Sequence, residues 1–221
     1  MIYVFLADGF EEMEAVCPID VLRRAGKKVF AVGVNNENSA LNAVHSSERR
    51  EITGTHGLKV IPDIRLSEIE VNSLDPLIGN PVTPDDNPDA LDILEMIVLP
   101  GGARGVENLF ANEKVKEIIE YCVENNIFIG AICAAPSILG GMGLFKAEAP
   151  LHGKVFTCYP DFEKYLKGAE ISTNSVVFDE EAKIISAKGA GVALQFGLKL
   201  VEVLCGAEKA EKLSGILQCE R

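Results

Sequence analysis

The sequence predicts an α/β fold in which a mostly parallel sheet is covered by helices. Short apolar runs typical of buried strands alternate with helical patterns along most of the chain. Residues 2–34 have the order strand, helix, strand, which is typical of a βαβ unit and of parallel pairing. The length of 221 residues is enough for one domain with a sizeable core.

The predicted elements follow one another in a regular order. Strands are expected at residues 2–7, 28–34, 96–99, 127–133, 154–158, 170–178 and 183–187. Helices are expected at residues 10–25, 112–125, 134–140, 161–167, 192–205 and 207–217. Residues 45–62 differ from this rhythm, because two short apolar stretches flank Gly-Thr-His-Gly, and they predict a small hairpin or edge strands.

The first helix has a clear pattern and one irregularity. Met13, Val16, Ile19 (or Asp20) and Leu22 recur at intervals of about three residues, which predicts that they share an apolar face. Pro18 lies inside the same pattern and predicts a kink or a local break, because proline cannot donate the helical hydrogen bond.

Residues 73–92 are expected to be an insertion into a single domain that spans residues 1–221. The segment holds four of the ten prolines and a cluster of aspartates. Such a composition favours a solvated excursion between two core elements rather than a fold of its own.

Composition excludes several classes of partner. The formal net charge is −12, whereas nucleic acids and anionic membranes require a basic face. No apolar stretch approaches the roughly 18 residues of a membrane span. The N-terminus lacks a basic leader, and its apolar run ends in Asp-Gly. A cytoplasmic protein without a nucleic-acid or membrane partner is therefore predicted.

Cysteine and histidine spacing indicates neither disulfides nor a metal site. The six cysteines contain no Cys-x-x-Cys pair, and a chain of this length needs no disulfide staple. The three histidines (His45, His56 and His152) do not lie at ligand spacing from a cysteine. The glycine-rich turns are too short for a phosphate loop, so no cofactor is predicted.

Cys133 lies where a buried strand ends and a helix is expected to begin. Backbone N–H groups and the dipole at such a junction favour a thiolate, and the arrangement resembles the nucleophile elbow of α/β-hydrolases. The alternative is an inert core cysteine. Two features favour a nucleophile: Gly130, Ala134 and Ala135 leave the turn uncrowded, and Pro-Gly-Gly at 100–102 ends a neighbouring strand.

Glu11, Glu12 and Glu14 follow the first strand, in the first turn of the first helix. Dipole compensation is an ordinary reason for acids there. The carboxyl ends of parallel strands meet at one edge, however, so at least one of these side chains could face Cys133. Helical spacing prevents all three from pointing the same way. A carboxyl beside the thiol would titrate together with it, and we expect a protonated glutamic acid that donates to a thiolate at neutral pH.

Four ordered motifs, at residues 6–26, 98–102, 131–136 and 187–204, resemble those of the ThiJ/PfpI superfamily. The chain is most similar to the branch that contains the human Parkinson-disease protein deglycase. The resemblance covers nearly the whole chain except the proline-rich segment. It implies a flavodoxin-like, doubly wound α/β sandwich that usually forms a homodimer.

The resemblance also implies roles for individual residues. Cys133 corresponds to the reactive, oxidation-prone cysteine, and Glu14 to the buried glutamic acid that is hydrogen-bonded to it. The backbone amides of Gly102 and Ala134, with Gly101 beside them, correspond to the pocket for an oxyanion or another anion.

Departures from the family pattern exclude two activities. Protease-type members carry histidine directly after the nucleophile, where this chain has Ala134. Amidotransferase relatives need glycine two residues after the cysteine and a downstream His-x-Glu pair. This chain has Ala135 at that position and no such pair. Tyr159 stands where the deglycase branch commonly has histidine and could donate a hydrogen bond in the pocket. His56 stands where the branch has an arginine and could belong to the pocket. The alternative is that His56 is a polar residue of a turn or a dimer contact.

Two functions follow from the resemblance. The first is a cofactor-independent enzyme of the glyoxalase or deglycase type, acting on methylglyoxal-like aldehydes or their adducts with protein thiols and amines. Cys133 would add to the aldehyde and Glu14 would transfer the proton that leads to a hydroxy acid such as lactate. The alternative is a non-enzymatic sensor of oxidative stress, or a chaperone, that responds to oxidation of Cys133. Sequences of this kind are often assigned to thiazole biosynthesis as a third function, but no residue here supports binding of a thiazole phosphate.

Overall fold

The computed structural model describes residues 1–34, 51–74 and 93–219. In these ranges the strands are β1 (Ile2–Ala7), β2 (Val29–Val34), β3 (Ile52–Thr53), β4 (Lys59–Val60), β5 (Ile64–Arg65), β6 (Met96–Leu99), β7 (Phe128–Ile132), β8 (Val155–Phe156), β9 (Glu170–Ile171), β10 (Val176–Asp179) and β11 (Ile184–Ala187). The α-helices are α1 (Glu12–Arg24), α2 (Ala103–Phe110), α3 (Glu113–Glu124), α4 (Pro136–Gly141), α5 (Ala193–Cys205) and α6 (Ala207–Ile216).

A seven-stranded sheet lies at the centre, in the order β10-β11-β7-β6-β1-β2-β5. Every neighbouring pair is parallel except β10 with β11. The predicted α/β class with a mostly parallel sheet is therefore confirmed. Strands β3 and β4 pair separately as the antiparallel hairpin expected near residues 45–62, of which residues 45–50 lie outside the described residues.

Two apolar clusters fill the space between the sheet and its helices. One cluster joins one face of the sheet to α2, α3 and α4 through residues such as Leu109, Ile118 and Ile138. The other joins the opposite face to α1, α5 and α6 through Leu22 and Phe196, among others. Burial on both faces explains why the central strands are continuous apolar runs rather than alternating ones.

Helix α1 differs from its prediction in two ways. Met13 and Val16 are exposed, whereas Glu14 is fully buried, so the predicted apolar face is wrong at its N-terminal end. The helix also continues through Pro18 without a break. Pro18 is buried against α5, where a methyl group on Gly197 would lie 3.4 Å from its Cα. Packing of α1 on α5 therefore selects the buried face, which periodicity alone misplaced.

Smaller differences concern short elements. Helix α2 was not predicted, and the strand expected at residues 170–178 is divided into β9 and β10. Residues 75–92 of the expected insertion lie outside the described residues, so the insertion stays a prediction. All six cysteines lie in the described ranges and are free. No helix among the described residues has the length and apolarity needed to cross a membrane.

Candidate active site

The site lies at the carboxyl edge of the sheet. Strands β1, β6, β7 and β11 are consecutive parallel neighbours, so the turns after them come together. These turns carry the start of α1, the Pro-Gly-Gly segment at 100–102, Cys133 and Gly189. This is the edge at which open α/β sheets bind ligands.

Cys133 directly follows β7 and has a left-handed backbone, with φ of +65°. That conformation is uncommon for a residue with a side chain, and the surroundings hold it in place. Its N–H donates to the carbonyl of Ala187 at 2.8 Å, and its carbonyl accepts from the N–H of Tyr159 at 2.9 Å. The strand therefore ends in a sharp turn that leaves the thiol half-buried between the two core clusters.

Glu14 is the glutamate that shares a pocket with this thiol. Its carboxyl group is buried, and Oε2 accepts a hydrogen bond of 2.8 Å from the N–H of Gly101. A methyl group on Gly101 would lie 2.5 Å from Oε2 and 2.6 Å from Cβ of Cys133. A methyl group on Gly189 would lie 3.7 Å from Oε1 and 3.8 Å from the sulfur. Glycine at position 101 therefore leaves room for the two acids to lie together, whereas the distances from Gly189 are those of ordinary van der Waals contact.

The second carboxyl oxygen of Glu14 has an unusual environment. Oε1 is buried and has no hydrogen-bond partner of standard geometry among the described residues. A buried oxygen without a partner is costly when the group is ionised. The sulfur of Cys133 is the acidic group beside it, and each of the two groups alters the titration of the other.

Burial dominates the acidity of both groups. It raises the pKa of Glu14 from 4.5 to about 7, although hydrogen bonds from Cys133 and Gly101 act in the opposite direction. Burial and the adjacent Glu14 raise the pKa of the Cys133 thiol from 9.0 to about 12. Two acids in one dehydrated pocket resist double ionisation, so the pair retains one proton between these two values.

The backbone amides near the sulfur act against this trend but do not reverse it. Hydrogen bonds from the N–H groups of Gly102 and Ala134 lower the pKa of the Cys133 thiol. Because α4 has six residues and begins only at Pro136, its dipole is short and lies beyond the turn. The amides therefore favour the thiolate as expected, but burial and Glu14 outweigh them and raise the pKa of the thiol overall.

The three amides expected to form an anion pocket have different partners. The N–H groups of Gly102 and Ala134 both lie against the sulfur. The amide of Gly101 is occupied by Glu14 and belongs to the carboxyl group's surroundings. Gly102 has φ of +85°, and a methyl group there would lie 2.2 Å from the carbonyl oxygen of Gly9, so only glycine fits.

Tyr159 lies at the rim of the same pocket. Its ring would be 3.3 Å from a methyl group on Gly189, and half of the residue is exposed. The ring packs edge-on against Phe162, with 6.3 Å between the centroids. The family resemblance placed Tyr159 near the pocket, but the sequence did not identify Gly189, whose signal is a glycine two residues after a strand of the same edge.

His56 lies with the other two glutamates of the helix start. Its Nδ1 is 3.0 Å from Oε2 of Glu12 and 3.4 Å from Oε2 of Glu11. One ligand atom from each residue lies within 4.8 Å of the others, a grouping that could hold a cation. Hydrogen bonds and ion pairing among the three side chains already explain why they lie together. The sequence could not reveal this cluster, because 44 residues separate Glu12 from His56.

Comparison with known proteins identifies relatives of the whole fold. The family model described as DJ-1/PfpI matches residues 1–203. A crystal structure of DJ-1beta from Drosophila melanogaster superposes with a TM-score of 0.76 at 29% identity, covering 100% of this chain and 98% of that one. The expected flavodoxin-like architecture is thereby confirmed.

Two curated relatives are similar over most of the chain. Protein DJ-1 homolog B of Arabidopsis thaliana is 31% identical to this chain over 96% of its residues. The matched region is 40% of the length of that plant protein. The glutathione-independent glyoxalase DJR-1.2 of Caenorhabditis elegans is 27% identical, over 92% of this chain and 87% of that protein.

Proposed function

Because the chain belongs to the DJ-1/PfpI family, we propose that it is a cofactor-independent enzyme of the glyoxalase III or protein deglycase type. The observation that carries the proposal is the Cys133–Glu14 pair, whose first proton is lost near neutral pH and whose second proton is retained well above it. Such a pair supplies a nucleophile and a proton carrier without histidine. A relative named as a glutathione-independent glyoxalase supports the same reaction class. The substrate would be methylglyoxal or a related aldehyde, free or bound to a protein thiol or amine.

Addition of the thiol to the aldehyde is the first step of the proposed reaction. The sulfur forms a bond to the aldehyde carbon of methylglyoxal, and the thiol proton passes to the carboxylate of Glu14. The carbonyl electron pair moves onto the aldehyde oxygen, where the N–H groups of Gly102 and Ala134 would stabilise the negative charge. Proton return from Glu14 to this oxygen completes a hemithioacetal.

Proton transfer between two carbons is the second step. Glu14, again ionised, removes the proton from the former aldehyde carbon, and the electrons form an enediolate whose negative charge lies on the neighbouring oxygen. Glu14 then delivers that proton to the neighbouring carbon, while the hydroxyl proton on the former aldehyde oxygen passes to the neighbouring oxygen. The former aldehyde carbon thereby becomes the carbonyl of a lactate thioester on Cys133. Water attacks the thioester carbon, the carbon–sulfur bond breaks and the thiol is restored. The sum is methylglyoxal plus water giving lactic acid, with no external oxidant.

Lactate formation tests this proposal directly. Pure protein incubated with methylglyoxal should release lactate, and Cys133→Ser should reduce the rate by at least about 100-fold, because a serine hydroxyl has no comparable nucleophilicity here. Cys205→Ser is the matched control, since Cys205 lies at the end of α5 and should leave the rate unchanged. Equal turnover by wild type and the Cys133→Ser variant would exclude the mechanism.

Response to oxidation is the second candidate function. The half-buried thiol of Cys133 lies against the amides of Gly102 and Ala134, which could hold the oxygens of a sulfinate. The raised pKa of the thiol weighs against this function, because peroxide reacts with thiolates. We therefore place the enzyme first.

A homodimer is part of the same proposal. Family members are commonly dimeric. Met13 and Val16 are exposed apolar side chains one turn apart on α1, and burial against a second copy would remove that surface from water.

A further inference from the structure

We propose that His56, in the turn between β3 and β4, is a positioning residue that acts on the Glu14–Cys133 pair through the acidic start of α1. The inference rests on the proposed function only in taking Cys133 as the reacting group. It gives a role to the hairpin, whose turn contacts the start of α1.

The turn of the hairpin holds the carboxylate of Glu12. The backbone N–H of His56 donates to Oε1 of Glu12 at 2.6 Å, and Nδ1 lies 3.0 Å from Oε2. The N–H of Leu58 adds a longer contact of 3.4 Å to Oε1. A methyl group on Gly54 would lie 2.4 Å from Oε1, so the turn fits closely around this carboxylate. The hairpin and the first turn of α1 are therefore joined at Glu12.

Glu11 connects this contact to the buried pair. Its Oε2 lies 3.4 Å from Nδ1 of His56. Its N–H donates to the carbonyl of Gly101 at 3.0 Å. The N–H of Gly101 in turn donates to Oε2 of Glu14 at 2.8 Å. A continuous series of contacts thus runs from the imidazole through Glu11 and Gly101 to the carboxyl group beside the thiol.

The three side chains differ in their access to solvent. The imidazole of His56 is 72% exposed, whereas the side chains of Glu11 and Glu12 are 15% and 13% exposed. Hydrogen bonding to Glu12 and the charges of both glutamates raise the pKa of His56. The charge of Glu11 raises the pKa of Glu14. The exposed group can therefore gain or lose its proton readily, while the carboxylates transmit the change toward the pocket.

Protonation of His56 should lower the pKa of Glu14, and loss of that proton should raise it. Below the pKa of His56, the imidazolium offsets the charge of Glu11, and Glu14 releases its proton more easily. Above that pKa the offset is lost, and Glu14 retains its proton to higher pH. A permanent positive charge at position 56 should favour deprotonation of the pair, and a neutral residue should oppose it.

Other charged residues near the hairpin have different contacts. Asp8 accepts a hydrogen bond of 2.9 Å from the N–H of Thr53, and Lys59 pairs with Glu51 at 3.0 Å. The stem of Arg104 lies over Gly9. The remaining charged residue on α2 is Glu107. Lys59 belongs to the same hairpin as His56, so it offers a matched control.

Alkylation of Cys133 by iodoacetamide tests the inference without requiring turnover. The rate is measured against pH on the full chain, with the Cys133 peptide quantified by mass spectrometry, for wild type, His56→Gln, His56→Arg and Lys59→Gln. The midpoint compared is that of the first rise in rate, at which the Cys133–Glu14 pair loses its first proton, near the pKa of about 7 of Glu14. We expect the midpoint of the His56→Gln variant to rise by about 0.5 pH unit relative to wild type. The His56→Arg variant should have a midpoint equal to or below that of wild type. Lys59→Gln should leave the midpoint unchanged.

Salt separates an electrostatic role from a purely structural one. About 1 M salt should reduce the difference between wild type and the His56→Gln variant, because it screens exposed charges. Equal midpoints in wild type and both His56 variants would overturn the inference. A rise in both His56 variants that salt does not reduce would also overturn it, since it would indicate a disturbed hairpin. If wild type forms no lactate while the midpoints differ as expected, the proposed function fails and the inference stands.

Discussion

At the scale of residues, the chemistry depends on which influence on the thiol is largest. Two backbone amides favour the thiolate of Cys133, whereas burial and Glu14 favour the thiol. Burial is the larger effect because few polar groups replace the water that the sulfur and the carboxyl group have lost. Under the proposed function, the pair would therefore work by moving a proton from sulfur to carboxylate when a substrate arrives, rather than by keeping a permanently ionised thiol.

Peroxide treatment tests the redox alternative at this scale. If the protein is a sensor, mild peroxide should convert Cys133 to the sulfinate before the buried Cys122 and Cys158 react, because these two thiols lie inside the apolar core. Mass spectrometry of the tryptic peptides gives the order of oxidation. An unmodified Cys133 in a sample in which other cysteines are oxidised would eliminate the sensor function.

At the scale of elements, the site depends on turns that have no room for side chains. The end of β6 leads into Gly101 and Gly102, which approach the thiol pocket from one side. The end of β11 leads into Gly189 on another side. The loop after β8 contributes the ring of Tyr159 at the rim. Each element is ordinary by itself, and the pocket arises only where their ends meet.

The substitution Gly101→Ala tests this requirement for space. A methyl group 2.5 Å from Oε2 of Glu14 must displace either the carboxyl group or the thiol. We expect unfolding to become easier by about 1–3 kcal/mol. Lactate formation should fall by about 100-fold, because a displacement of about 1 Å between reacting groups can slow a reaction by this factor. Chemical denaturation and the lactate assay measure the two effects.

Gly215→Ala is the matched control for that experiment. Gly215 lies in α6, and a methyl group there would meet no atom within 4 Å. Alanine should leave activity unchanged and stabilise the protein by up to about 1 kcal/mol, because it favours the helix. If Gly101→Ala behaves like this control, the close packing around Glu14 is not required for activity.

At the scale of the whole molecule, Glu14 links the free energy of unfolding to pH. Its pKa is about 7 in the folded protein and near 4.5 in the unfolded chain, so the folded state binds this proton more tightly. The resulting stabilisation is fully present below about pH 4.5 and is lost as pH rises through about 7. Its size is on the order of 1–3 kcal/mol. Ionisation of Glu14, which the proposed function requires, therefore lowers the stability of the folded protein.

Glu14→Gln should remove this dependence. Between about pH 5 and about pH 8, the variant should gain on the order of 1–3 kcal/mol relative to wild type, because glutamine has no proton to lose. Guanidinium unfolding at both values measures the difference. Glu124→Gln, at an exposed position in α3, is the control and should follow wild type. A constant difference between the Glu14→Gln variant and wild type across this range would show that Glu14 is not buried as a proton-binding group.

Much of the fold could be predicted because strands and helices have local signatures. The apolar runs at residues 2–7 and 96–99 correspond closely to β1 and β6. The buried face of α1 could not be predicted in this way, because Met13 and Val16 satisfy the helical period and yet face outward. The choice of face depends on the packing of α1 against α5, which periodicity does not contain.

The sequence by itself determined the α/β class, the position of Cys133 at the end of a buried strand and the motifs by which the family is recognised. Helical spacing left open which glutamate faces the thiol, and only the family resemblance implied Glu14. Only the tertiary structure decided that Gly101 serves Glu14 rather than an anion, and that His56 lies beside Glu11 and Glu12. The physical reason is distance along the chain. Local patterns encode strands, helices and turns, whereas pKa values and proton transfer depend on burial and on neighbours that only the folded sheet brings together.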